Sequence, residues 1–172
     1  MGTHAEPAEW SHFRFVFEIR LQEKNSVNVR MEVLVLFVIL LVIIHFNREP
    51  EMLSQIKARY WAILDMLKQT GDPRWAPILK PAIITGIKGK KDGVIGSNVN
   101  KGYEIYICLD GDDVNSAVYV LIHELAHMSV PEYDHSSKYW DNFRDMKKLC
   151  VDKGLYKQMG DRKYCGDLIK DS

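Results

Sequence analysis

Two histidines and a glutamate lie close together in the segment His123-Glu124-Leu125-Ala126-His127. Residues four apart lie on the same face of an α-helix, so both imidazoles can bind one metal ion. Glu124 follows the first histidine directly and can accept a proton from a water molecule bound to that ion. The spacing therefore predicts a hydrolytic zinc centre that carries its own general base.

The sequence around this segment is typical of a helix with one buried face. Asp112 or Asp113 can cap its N-terminus, and Pro131 ends it about one turn after His127. Apolar residues recur along it at intervals of three and four: Val114, Ala117, Val118, Leu121, Ile122 and Leu125. We therefore expect His123 and His127 to face a cleft on the other side of the helix from the core.

A catalytic zinc ion usually has three protein ligands and a fourth position for water. His135 follows the break at Pro131 and is the expected third ligand, because zinc in histidine-based hydrolytic sites prefers nitrogen. Carboxylates remain as alternative ligands: Glu132, Asp134, Asp141 and Asp145. Tyr133 and Tyr139 are candidates for stabilising an oxyanion or contacting the substrate.

At this point the chain resembles the WLM/SprT-like zinc metallopeptidases: His123-Glu-Leu-Ala-His127, a short loop, then His135 before Ser-Ser-Lys-Tyr-Trp140. Residues 119–135 are closer still to small, uncharacterised WLM-like proteins of large DNA viruses. Those proteins often carry an N-terminal hydrophobic anchor, and many end with a segment like Tyr164-Cys165-Gly166. The resemblance covers about residues 50–168, although only residues 119–140 are specific. It implies a zincin fold, one Zn²⁺ and hydrolysis of peptide bonds.

The remaining patterns predict an α+β domain over residues 49–172, and the resemblance implies that it is a minimal zincin-like arrangement of a small sheet packed on the metal-binding helix. A helical stripe begins at Pro50 and ends before Gly71-Asp72-Pro73. Residues 82–87 and 103–109 have the composition of strands, joined by a glycine-rich connection. The second strand leads to the metal-binding helix, and we expect it to be the sheet edge that pairs with substrate. Residues 137–153 form the last long helix.

Composition is that of one modest domain without a charged partner. The chain has 172 residues, 47% of them hydrophobic, and Lys+Arg balance Asp+Glu at 23 each, so nucleic acid is not an expected partner. Lys88, Lys90 and Lys91 lie in a glycine-rich turn, which is typical of a solvated hairpin tip. Contact of these lysines with nucleic acid or lipid headgroups is the alternative.

The cysteines are too few for a disulfide framework. We expect Cys108 to be a small core residue and all three cysteines, Cys108, Cys150 and Cys165, to be free thiols. A bond between Cys150 and Cys165 is the alternative in an oxidising compartment.

Residues 33–44 are consecutive apolar residues without a charge. As a helix, residues 31–46 would rise about 24 Å, against roughly 30 Å for the hydrocarbon core of a bilayer. Polar groups near the ends of a short span can reach the interface. We therefore expect residues 31–47 to be a single-pass signal-anchor, with a buried helix or strand as the soluble alternative. Basic residues on both sides leave its orientation open.

The first thirty residues contain a different pattern. Phe13, Phe15, Phe17, Ile19 and Leu21 alternate with polar residues, as in a half-buried strand. A strand directly before a membrane span has no evident partner. Residues 1–30 are therefore expected to be an N-terminal extension, with Met31 as an alternative initiator.

Together these features predict a zinc-dependent metallopeptidase at a membrane of the host cell or virion, acting on a peptide or protein. His123, His127 and His135 hold the zinc, and Glu124 is the general base. One alternative is a catalytically silent, membrane-tethered zinc-binding module, which would not need Glu124. The other is a protease for DNA–protein crosslinks, which the balanced charge and the expected anchor disfavour.

Overall fold

The computed structural model describes Arg20, residues 29–111 and residues 113–171. This part of the chain is an α+β protein with four α-helices and two small sheets. The chain divides into two units between Arg48 and Glu49. The strand expected around residues 13–22, and the first thirty residues as a whole apart from Arg20, Val29 and Arg30, lie outside the described residues.

Helix α1 is the apolar helix of the first unit and runs from Val29 to Phe46. Its apolar run is a continuous helix rather than a strand, and its mean hydropathy over that span is 2.6, with none of it buried within the structure. Length and composition permit α1 to cross a membrane. A signal sequence or the core helix of a soluble protein has the same properties.

The second unit begins with helix α2 (Glu51–Thr70) and a 3-10 turn (Pro73–Trp75). Strands β1 (Ile83–Ile87), β2 (Gly96–Val99) and β3 (Glu104–Cys108) follow and form a sheet in the order β1-β3-β2. Helices α3 (Val114–Met128) and α4 (Ser137–Asp152) come next, and β4 (Arg162–Tyr164) pairs with β5 (Asp167–Ile169) in a C-terminal hairpin. The helices predicted from periodicity are present with bounds within a few residues of those expected.

The sheet corrects one expectation about its edge. β3 is the central strand, parallel to β1 on one side and antiparallel to β2 on the other, so it is not the edge strand. The edge strand that packs on α3 is β2, which lies in the segment that was expected to be a glycine-rich connection. Its four residues, Gly-Ser-Asn-Val, have no alternation of polar and apolar side chains, and the strand is defined by its backbone bonds to β3.

The lysines between β1 and β2 are partly engaged within the fold rather than fully solvated. Lys90 forms an ion pair with Asp167 of the C-terminal hairpin, and the ammonium of Lys91 lies 3.1 Å from the centre of the Tyr106 ring. The turn therefore connects the sheet to the hairpin.

Helix α3 lies at the centre of the domain and contacts α2, α4, β2 and β3. Asp113 is its N-cap, and the carboxylate accepts hydrogen bonds from the backbone N–H groups of Asn115 (3.2 Å) and Ser116 (3.0 Å). Such a cap contributes about 1 kcal/mol to helix stability. The predicted apolar face is buried: Ala117, Val118, Leu121, Ile122 and Leu125 have almost no exposed surface.

A disulfide joins Cys108 at the end of β3 to Cys165 between β4 and β5, so the expectation of free thiols is wrong for this pair. Cys150 is free and buried in α4. The two bonded residues are 57 positions apart, and only the fold brings their Cα atoms to 6.4 Å. The Tyr164 hydroxyl also donates a hydrogen bond to the Cys108 carbonyl, so the hairpin is fixed to the end of β3 by two interactions.

Removing the disulfide should lower stability markedly. In the chain-entropy account, closing a loop of this length stabilises the fold by about 4 kcal/mol, so the double variant Cys108→Ser/Cys165→Ser should unfold at a lower urea concentration. Tryptophan fluorescence of the full chain in detergent would measure both transitions. The unfolding transition of wild-type protein kept reduced should coincide with that of the variant. If the oxidised wild type and the variant unfolded at the same urea concentration, this account would be contradicted.

Candidate metal centre

Three histidine side chains converge at one end of the cleft beside α3. The Nε2 atom of His135 lies 3.2 Å from that of His123 and 3.1 Å from that of His127. Among the described residues these three form the cluster that can hold a metal ion, with all ligand atoms within 4.8 Å of one another. Three nitrogens that surround a tetrahedral zinc at its usual bond length are separated by about 3.3 Å, so the observed spacing fits the ion.

The expected carboxylate alternatives do not join this cluster. Asp141 forms an ion pair with Arg144 at 2.5 Å, and Asp145 with Arg74 at 2.8 Å. Glu132 and Asp134 are exposed in the loop that carries His135. The structure therefore assembles an all-nitrogen ligand set, which is the composition that suits zinc better than calcium or magnesium.

Tyr139 supports a ligand rather than the open face of the site. Its side chain is fully buried, and its hydroxyl lies 2.7 Å from His123 Nδ1, on the far side of the ring from Nε2. When Nε2 binds a metal, Nδ1 carries the proton and donates to Tyr139 Oη, which fixes the tautomer and the ring orientation. The hydroxyl of Tyr139, expected as an oxyanion or substrate contact, thus contacts the ring of His123 in this structure.

Tyr133 lies in the loop between the second and third ligands. Its side chain is 80% exposed and lines a cavity of about 150 Å³ together with Asn98, Lys101, Glu124 and His127. This position is accessible to a substrate, as expected for a contact residue.

Lys101 fixes the loop that returns His135 to the site. Its ammonium donates hydrogen bonds to the carbonyls of His127 (3.3 Å), Val130 (3.0 Å) and Glu132, and it lies 4.2 Å from the centre of the Tyr133 ring. All three ammonium protons thus have carbonyl partners around the end of α3, where the helix dipole favours a cation. The sequence did not indicate this role of Lys101, because a lysine in a turn is ordinarily a surface residue.

Glu124 is the buried carboxylate of the site. Its side chain is 6% exposed, and burial raises its pKa to about 7. Burial, together with the neighbouring imidazoles, lowers the pKa of His123 to about 3, and burial with His135 and Lys101 lowers that of His127 to about 4. Both imidazoles are therefore neutral at pH 7, and a metal need not displace protons from them.

β2 passes unusually close to this carboxylate. A Cβ atom added to Gly96 would lie 2.9 Å from Glu124 Oε1 and even closer to Val120 Cγ1. Asn98 of the same strand donates a side-chain hydrogen bond of 2.9 Å to the Glu124 carbonyl. Glycine in a strand marks such a close approach, and that was the signal available in the sequence.

Comparison with known proteins identifies one viral relative. The chain is similar to a protein of Acanthamoeba polyphaga mimivirus named "Uncharacterized protein R325", with 35% identity over 83 residues, covering 42% of each chain. The match thus spans less than half the length of that relative. No protein-family profile matches the chain, and no solved structure matches it.

Replacing Lys101 by methionine should weaken metal binding while leaving the three ligands intact. Loss of an outer partner that positions metal ligands typically lowers metal affinity about 10- to 100-fold. The zinc dissociation constant would be measured by competition with a fluorescent chelator. Lys138→Met, at an exposed lysine next to the site, is the matched control and should bind zinc as the wild type does. Equal affinities for all three proteins would show that Lys101 does not position the loop.

Proposed function

We propose that this protein is a zinc-dependent metallopeptidase with a minimal zincin-like domain at residues 49–172. The observation that carries the proposal is the convergence of three histidine side chains, together with the buried Glu124, which lines one cavity with His123 and another with His127. A purely structural zinc site is closed by four protein ligands, whereas three ligands leave room for water. A carboxylate next to such a position serves hydrolysis.

The residues of the site divide the chemistry between them. His123, His127 and His135 would hold the ion, which when bound activates water and polarises a carbonyl. Glu124 accepts the proton of the attacking water and delivers it to the departing amine nitrogen. Tyr139 holds the His123 ring, and Lys101 holds the loop of His135. The burial of Glu124, which is 6% exposed, limits the access of bulk water to its carboxylate.

Strand β2 offers the substrate a backbone partner. The Cys108 N–H donates a 2.9 Å hydrogen bond to the Ile95 carbonyl, so this pair faces inward in the antiparallel ladder. Inward and outward pairs alternate, which directs the backbone groups of Gly96 and Asn98 to the free edge. An extended peptide added there lies beside Glu124, with main-chain hydrogen bonds that depend little on side-chain identity.

Glu124→Gln should abolish turnover while zinc remains bound. General acid–base catalysis contributes about 10²- to 10⁴-fold, so kcat should fall by at least the lower factor. Cleavage of a quenched-fluorescence peptide library and zinc content by atomic emission would be measured together. Glu132→Gln, at an exposed carboxylate of the adjacent loop, is the control and should retain activity. Unchanged turnover in Glu124→Gln would refute the assignment, and a zinc-loaded wild type that cleaves nothing would favour the silent zinc-binding module.

We also propose that α1 anchors the protein in a membrane, with the catalytic domain on the oxidising side. Disulfides persist in oxidising compartments, and the Cys108–Cys165 bond lies in the domain that follows α1. The basic residues on both sides of α1 do not determine its orientation. The disulfide supports the orientation in which the domain after α1 faces the oxidising compartment.

A glycosylation acceptor sequence appended after Ser172 would test this orientation. Synthesis in the presence of microsomes should give a glycosylated product that resists carbonate extraction, because the C-terminus then lies in the lumen. An extractable product would exclude the anchor, and a membrane-integrated but unglycosylated product would place the domain on the cytosolic side.

A further inference from the structure

A second, larger cavity opens on the other side of Glu124. It has a volume of about 430 Å³ and lies between β2, α3 and the C-terminal hairpin. Sites for small ligands occupy roughly 300–1,000 Å³, so this cavity has room for any single amino-acid side chain. His123 and Glu124 form one end of it, which makes the cavity continuous with the candidate metal centre.

The walls of the cavity are predominantly apolar. Ile95 forms the strand side, and Val120 and Ile169 are buried beneath it. Leu168 and Trp140 stand at the rim, 57% and 38% exposed. Large apolar side chains left open around a concave surface are typical of a binding site rather than of ordinary surface.

Two polar groups of the lining are engaged in interactions within the fold. The Asp167 carboxylate is paired with Lys90, and the Lys170 carbonyl accepts a 2.8 Å hydrogen bond from the Tyr119 hydroxyl. Glu124 remains at the catalytic end. A charged substrate group would lose hydration against the apolar walls of this cavity, whereas an apolar group would gain from burial.

The hairpin is a fixed wall of this cavity. Cys165 is bonded to Cys108, Asp167 to Lys90, and the backbone of Lys170 to Tyr119, so three separate elements hold the hairpin in place. A wall fixed in this way sets the size of the cavity before any ligand enters, which lowers the ordering cost of binding.

We propose that this cavity binds one apolar side chain of the substrate next to the cleaved bond, and that Leu168 of the hairpin determines which side chains fit. The inference rests on the proposed peptidase function. Binding in this cavity would add side-chain selectivity to a cleft in which backbone pairing with β2 alone would provide little selectivity. A substrate is thus an extended segment with an apolar residue at one fixed position relative to the bond that is cut.

The cleavage-site profile of the full-length protein in a peptide library would test this. Wild-type protein should select large apolar residues at one position and disfavour Asp and Lys there. Leu168→Asp should shift the preference at that position towards Lys and Arg by about 10-fold, within the range that pocket contacts discriminate. Leu168→Ala, a milder change, should raise the rate for Trp and Phe relative to Leu. Ile83→Ala, at a similarly exposed (54%) apolar residue on β1 outside the cavity, should leave the profile unchanged.

The outcomes separate this inference from the proposed function. Cleavage without an apolar preference, or a profile that neither Leu168 variant alters, would overturn the inference and leave the peptidase function standing. Absence of cleavage by zinc-loaded wild type would overturn the function itself. Zinc content and thermal midpoint, measured on each variant, show whether it is folded. If Leu168→Asp is not folded, the profile of Leu168→Ala decides the question.

Discussion

Helix α3 must be buried on most of its surface and still present two imidazoles and a carboxylate to a cleft, and the rest of the domain follows from that constraint. Leu121, Ile122 and Leu125 are fully buried in a helix that contacts α2, α4 and the sheet. The same burial that stabilises the helix removes water from His123 and Glu124. Desolvation lowers the pKa of the imidazole and raises that of the carboxylate, so both groups favour their neutral forms. A bound cation would reverse this effect for the carboxylate, because its charge stabilises the ionised form.

The close approach of β2 to α3 joins the base to the substrate edge. Gly96 permits it, because any side chain there would meet Val120 and Glu124. Asn98 strengthens it through the Glu124 carbonyl and also accepts a 2.6 Å hydrogen bond from the Gly102 N–H, which shapes the turn before Tyr103. The position of Lys101 depends on the same turn. One short strand thus borders the edge proposed for the substrate backbone and leads into the turn whose Lys101 holds the loop of His135.

The sequence predicted those features that are local. Periodicity, together with Pro50 and Gly71, gave the extents of the helices, and the spacing of three histidines gave the ligand cluster. β2 could not be predicted, because its four residues lack alternation and their pairing depends on a strand further along the chain. The disulfide and the other contacts of the hairpin wall join residues that are 51 to 77 positions apart, for which spacing in the sequence carries no information. Tyr139 was predicted as a candidate contact for an oxyanion or the substrate, and the sequence did not indicate that its hydroxyl lies at the ring of His123.

Metal binding and side-chain selection are attached to α3 through separate supports. The ligand loop depends on Lys101 and its carbonyl partners, whereas the cavity wall depends on Cys108, Lys90 and Tyr119. The two sets share no residue, so substitutions in one should have effects that add to those in the other. His123 and Glu124 are the exceptions, since both belong to the candidate metal centre and line the cavity. In the proposed peptidase, a change in the hairpin can therefore alter which substrates are cut without altering how zinc would be held, and that separation makes the two properties open to independent measurement.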